Sequence, residues 1–143
     1  MSAKFASILR WYLWVLMGGL LLQGLGSLIF RFSPAVAATA PYLIRGILGI
    51  DFWHAWIHIS WGFAGVGILG GRYAHRTGVW LALIFGLFYS VLGLAGVVFH
   101  HPLGLELDIF ENVFHLTAGP ATLLLGLLGL SVRTHARSLV GVR

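Results

Sequence analysis

Four long apolar stretches, separated by short mixed connections, dominate the chain. They run from Trp11 to Phe30, Phe52 to Gly70, Val79 to Phe99 and Val113 to Ser131. Each is close to the roughly 20 residues that a helix needs to cross the hydrocarbon of a bilayer. The pattern predicts an all-α integral membrane protein, a bundle of four transmembrane helices. Four such helices use up the chain, so residues 1–143 are expected to form a single membrane domain with no separate soluble part.

Composition agrees with the pattern. Of the 143 residues, 59% are apolar and 9% charged, against about 25% charged in soluble domains. Too little polar material is present to cover a water-facing surface. Trp11, Trp14, Trp53, Trp56, Trp61 and Trp80 lie mostly near the ends of the stretches, where amphipathic rings anchor at the interface. Cysteine is absent, which excludes disulfides, iron–sulfur clusters and thiol catalysis.

Charge sets the expected orientation. Lys4, Arg10, Arg72, Arg76, Arg133, Arg137 and Arg143 fall on one side, and only Arg31 and Arg45 on the other. The positive-inside rule puts the richer side, with both termini, in the cytoplasm. All four acids, Asp51, Glu106, Asp108 and Glu111, fall on the opposite face. The bases are scattered singly at helix ends, as flanks of anionic lipid are. They form no basic stripe with interleaved aromatics, so the net charge of +5 does not point to nucleic acid. Lys4 and Arg10 before an apolar run, with Ala35-Val36-Ala37 after it, also resemble a secretory signal. The run is longer than the usual core of about 7–15 residues, so a retained helix is expected. In the outer loop that follows, Thr39 is expected to cap a short interfacial helix through Pro41-Tyr42-Leu43-Ile44-Arg45.

The chain also repeats itself. Asp51-Phe52-Trp53-His54-Ala55-Trp56-Ile57-His58-Ile59-Ser60-Trp61-Gly62 aligns with Asp108-Ile109-Phe110-Glu111-Asn112-Val113-Phe114-His115-Leu116-Thr117-Ala118-Gly119. Asp, the second His and Gly match, an aromatic faces an aromatic, and Ser faces Thr. In the first and third stretches Gly24 matches Gly93 and Phe30 matches Phe99. The reading is a parallel duplication of a helical hairpin, about 11–70 and about 79–131, around a pseudo-twofold axis along the membrane normal. Ala82, Gly86 and Ser90 share one face of the third stretch, which lets another backbone approach closely. Gln23, the one amide deep in the first stretch, is expected to bond a neighbouring helix or a backbone carbonyl. Pro120 is expected to kink the fourth stretch near His115.

Glu111-Asn112-Val113-Phe114-His115-Leu116-Thr117-Ala118-Gly119, after Leu105-Glu106-Leu107-Asp108, resembles the last-helix motif of a family of small bacterial four-helix membrane proteins of unknown function. Ala55 to Gly62 resembles that family's second-helix motif, with Ala55 where Asn is expected, and Tyr89 to Gly96 its third helix. The resemblance covers residues 10 to 131. It implies the four-helix fold, a bacterial inner-membrane location and a role for both matched His, and it carries no chemistry.

Asp51, His54 and His58 stand at i, i+3 and i+7, and Asp108, Glu111 and His115 repeat that spacing. On a helix each set points in nearly one direction. Asp51 and Asp108 form a structural polar stripe at the outer interface, with His58 and His115 roughly 10 Å deeper at 1.5 Å per residue. Ionisable groups at that depth are read as functional by default. His100 and His101 could extend the cluster, whereas His75 and His135 sit with Arg at the cytoplasmic rim. Three readings compete. The His can clasp the hairpins together through hydrogen bonds. His54, His58, Glu111 and His115 can hold a transition metal such as zinc or copper. Or His58 and His115 can ligate haem axially. No Ser-His-acid order, Gly-rich phosphate loop or His-Glu-x-x-His is present. The expected function is a non-enzymatic accessory or assembly subunit, embedded in the lipid bilayer and partnered by other membrane-protein subunits. The alternative is a haem- or transition-metal-binding membrane redox protein. A reporter fused after Arg143 and one inserted near Pro102 are expected to give opposite answers in a topology assay. A periplasmic signal from the fusion after Arg143 would overturn the orientation.

Overall fold

The computed structural model describes residues 3–71, 74–99 and 101–140, with side chains described at 4–71, 77–99 and 101–132. Among the described residues every regular element is helical. In chain order these are α1 (Ala3–Phe32), α2 (Pro34–Thr39), α3 (Tyr42–Leu48), α4 (Phe52–Gly70), α5 (Ala74–Phe99), a 3-10 turn (Pro102–Gly104) and α6 (Ile109–Val140). The cytoplasmic-rim calls at Arg72, Arg76, His75, Arg133, His135, Arg137 and Arg143, like His100, lie outside the described side chains.

Three helices are long and apolar enough to cross a membrane: Lys4–Phe32, Thr77–Phe99 and Ile109–Val132. Helix α4 has 19 residues, enough length for a crossing, but its two His and three Trp dilute its apolar character. Large apolar side chains cover the outside of the helices, among them Val15, Leu22, Phe63, Ile84, Leu94 and Leu124, all well exposed. A contiguous surface of this kind suits lipid and not water.

Helix α1 packs along α4, and α5 along α6; lesser contacts join α4 to α5, α1 to α5 and α1 to α6. Glycines set the close approaches within each pair. A Cβ on Gly62 of α4 would lie 2.7 Å from the Leu21 backbone nitrogen of α1, and one on Gly24 of α1 would lie 2.6 Å from the Ala55 carbonyl oxygen of α4. The second pair shows the same arrangement. A Cβ on Gly119 of α6 would lie 2.5 Å from the Ser90 backbone nitrogen of α5, and one on Gly93 of α5 would lie 3.0 Å from Leu116 of α6. Gly86 likewise leaves room for the backbone at Leu123. Backbones this close gain van der Waals contact that larger residues would forbid.

The main core joins α1, α4 and α5 through Leu9, Leu13, Met17, Leu20, Leu69, Val79, Ala82, Phe85 and Tyr89. Phe85 and Tyr89 stack at 4.2 Å between ring centroids. Trp61 is in this core and not at an end: it meets Phe85 edge-on at 5.3 Å. A smaller cluster of Leu92, Leu105 and Leu107 closes the acidic end.

One local expectation changes. Thr39 does not cap the helix beyond it. It ends α2, and its hydroxyl donates back to the carbonyls of Ala35 and Val36, because a hydroxyl in a last turn finds those oxygens nearer than any free amide. Helix α3 instead follows Pro41 without a side-chain cap. Helix α6 is one continuous element through Pro120. The Gln23 amide donates to the Ile47 carbonyl at 2.8 Å, tying α1 to α3 as its position suggested.

Gly119→Val is expected to destabilise the protein by about 1–3 kcal/mol, the usual cost of overpacking. Gly67→Ala, whose Cβ would meet nothing within 4 Å, should change stability little. Thermal unfolding of both variants in the same detergent checks the contrast. Equal stability would show that the close approach at Gly119 is not required.

Candidate metal centre

Two aspartates start the helices that carry the site. Asp51 precedes α4, and its carboxylate accepts from the His54 backbone N–H at 3.0 Å and from that of Glu106 at 3.1 Å. Asp108 precedes α6 and accepts from the Glu111 N–H at 2.9 Å, while Glu111 Oε2 accepts from the Asp108 N–H at 2.9 Å. The second arrangement is a reciprocal capping box. Both caps fix where their helices begin, and so fix the direction in which the side chains one and two turns later project.

Those side chains are His54 and His58 on α4 and Glu111 and His115 on α6. His54, His58 and His115 are all but fully buried, at 0%, 1% and 0% exposure. One ring nitrogen from each lies within 4.8 Å of the others. The His54 ring is 4.5 Å from that of His58 and 5.2 Å from that of His115, centroid to centroid; His58 and His115 are 6.3 Å apart. None of the six ring nitrogens makes a hydrogen bond among the described residues. His54 Nδ1 does lie 3.3 Å from Glu111 Oε1, within ion-pair reach but outside hydrogen-bond geometry. Glu111 is itself buried, at 6%.

The three rings form a triangle in which His54 is the nearer neighbour of both His58 and His115. Glu111 stands one step back, with one oxygen held in the cap and the other toward His54. Asp51 and Asp108 act on the helices and not on the rings. His101 is exposed and lines a separate polar hollow of about 410 Å³ with Asp51, Glu106, Asp108 and Glu111.

Tyr89 belongs to the site and was not singled out by spacing. It is fully buried, its ring lies 4.9 Å from that of His115 and 5.9 Å from that of His58, and its hydroxyl has no hydrogen-bond partner among the described residues. The signal available for it was one hydroxyl-bearing ring in the middle of an apolar helix.

Chemically, three buried imidazoles on two helices offer three nitrogen donors gathered in one place. Zinc bound by imidazole has a metal–nitrogen distance of about 2.0–2.1 Å, so tetrahedral ligands sit about 3.3 Å apart. The separation of His54 and His58 is i, i+4, which brings both rings to one helix face. Comparison with family models, with curated proteins and with solved structures finds no match for the chain.

Proposed function

We propose that the protein is a membrane-embedded transition-metal-binding protein in which His54, His58 and His115 coordinate a zinc or copper ion. The observation that carries the reading is the convergence of three buried imidazoles with no hydrogen-bond partners among the described residues. A buried polar group left unpaired costs about 1–3 kcal/mol, and six such nitrogens in one cluster is a large cost for a small chain. A metal ion satisfies one nitrogen on each ring with a strong bond, and imidazole suits both zinc and copper. Glu111 orients His54 from behind, as carboxylates beside metal-bound His commonly do.

The clasp reading needs hydrogen bonds that these rings do not make among the described residues. The haem reading needs a flat macrocycle between His58 and His115, and the His54 ring fills that space. A metal-holding chain of this size also suits an accessory subunit of a larger membrane complex. That role is separable from metal binding by experiment.

The proposal includes the surrounding architecture: four crossings, with α4 as the fourth, and two parallel hairpin repeats with both ends in the cytoplasm. Support for the repeat comes from packing in register. Gly62 meets Leu21 where Gly119 meets Ser90, and Gly24 meets Ile59 where Gly93 meets Leu116. The offsets are those that align Asp51 with Asp108 and Gly24 with Gly93. Support for the fourth crossing comes from α4 lying along α1, with His54 and His58 hidden from the exterior.

Elemental analysis of the protein purified without chelator is expected to find one zinc or copper per chain. His54→Ala, His58→Ala and His115→Ala should each abolish it, and Glu111→Gln should weaken it about 10–100-fold, the usual effect of removing an outer-shell partner. Bound metal should fall as pH is lowered, because protons compete for the imidazole nitrogens. Wild-type protein that stays metal-free when titrated with zinc and with copper would overturn the reading.

A further inference from the structure

We propose that the cleft between α1 and α6 binds an apolar-tailed phenol or quinol whose head-group oxygen reaches the metal held by the three His. The inference rests on the metal reading above for the polar end of the site, and adds the ligand and its route of entry.

The cleft has a volume of about 460 Å³, inside the range of about 300–1,000 Å³ usual for small-molecule sites. Its walls are apolar, with Val15, Leu20, Ile47 and Phe114 among them, and its floor is His58, His115 and Glu111. Val15 of its lining is 74% exposed and stands on the apolar exterior, so the cleft reaches the surface that faces lipid. A molecule entering there must be soluble in hydrocarbon.

The duplication shows that this opening is particular to one half. Gly19 lies in the cleft lining, and a Cβ placed on it would meet nothing within 4 Å. The offset that pairs Gly24 with Gly93 pairs Gly19 with Phe88. Phe88 lines the corresponding groove on the other side with Trp53, Trp56 and Trp61, and that groove includes no His and no acid. Phe88 packs against Trp61 at 5.6 Å and Tyr89 at 5.4 Å. Bulky aromatics therefore line the matched groove, while a glycine leaves the way to His58 and His115 open on this side.

The chemistry of the two ends defines the occupant. Three protein ligands leave one position of a tetrahedral ion free for an outside donor. An oxygen donor on a flat ring suits it, because Phe110 and Phe114 provide aromatic faces beside the floor. On coordination the phenol O–H bond breaks and a metal–oxygen bond forms. The proton passes to the Glu111 carboxylate, which lines the floor of the cleft and lies 3.3 Å from His54 Nδ1. An apolar tail then lies along Val15 and Leu16 toward the lipid.

The test uses full-length protein in phospholipid nanodiscs loaded with Co²⁺, whose visible bands report a change in coordination, and 4-decylphenol as the probe. Addition of 4-decylphenol is expected to shift the cobalt bands of wild-type protein saturably. Gly19→Phe, which puts in one half the residue found in the other, should keep one cobalt per chain and weaken the probe at least tenfold. Val15→Trp in the lining should do the same, and serves if Gly19→Phe fails to fold. If wild-type protein holds no cobalt, the metal reading fails and this inference with it. If cobalt is held but the probe leaves the bands unmoved, or moves them equally in the cleft variants, the cleft proposal alone is overturned and the cleft holds only lipid chains.

Discussion

The burial of three imidazoles and a carboxylate in the middle of an apolar bundle is the constraint on which the rest of the structure depends. Hydrocarbon offers such groups no solvation, so they must be gathered in one place and turned inward. Asp51 and Asp108 do the turning. Each caps the first turn of its helix, and the helical period then directs His54, His58, Glu111 and His115 to the centre. Tyr89 and the stacked Phe85 seal the cluster from the side of the main core.

Close helix packing holds this arrangement in place without a large hydrophobic driving force, since lipid tails are as apolar as the side chains they would replace. The glycines at 24, 62, 93 and 119 serve that end. They let α1 settle on α4, and α5 on α6, at distances where a single added carbon would collide with backbone or side chain. The same pairs bring the two capped helix starts to the acidic end, where Asp51, Glu106, Asp108 and Glu111 line one hollow. The polar residues of the chain are thus concentrated at one end and on one internal stripe, and the rest of the exterior is left to lipid.

The two aligned segments of the sequence place like residues at like contacts, Gly62 on Leu21 and Gly119 on Ser90, but do not carry the same chemistry. His54 and Glu111 occupy equivalent positions and meet each other at 3.3 Å, while His58 and His115 are equivalent and both keep an imidazole. A three-His set with one carboxylate behind it follows from that single difference. A second difference, Gly19 against Phe88, opens one groove onto the cluster and leaves the other lined by aromatics.

Hydrophobic run length by itself determined that the chain is helical and suited to a membrane, because helices and closed barrels alone satisfy their backbone hydrogen bonds inside hydrocarbon, and runs near 20 residues match a helical crossing and not a barrel strand of about 9–11. The bounds of α4, Phe52–Gly70, were legible for the same reason, with Asp51 before them and glycine after. The i, i+3, i+7 spacing placed His54, His58, Glu111 and His115 on inward stripes, since helical period is a local property. Sequence did not reveal that the rings lack hydrogen-bond partners among the described residues, that His54 lies nearer to both His58 and His115 than they lie to each other, or that Tyr89 joins them. Thr39 was misplaced because capping depends on which amide or carbonyl lies nearest, and Trp61 entered the core because its neighbours on α5 decide its burial. Such facts arise from how two helix pairs lie against each other. Only the tertiary structure decides them, because side chains from α4, α5 and α6 must converge before a shared site or an open cleft exists.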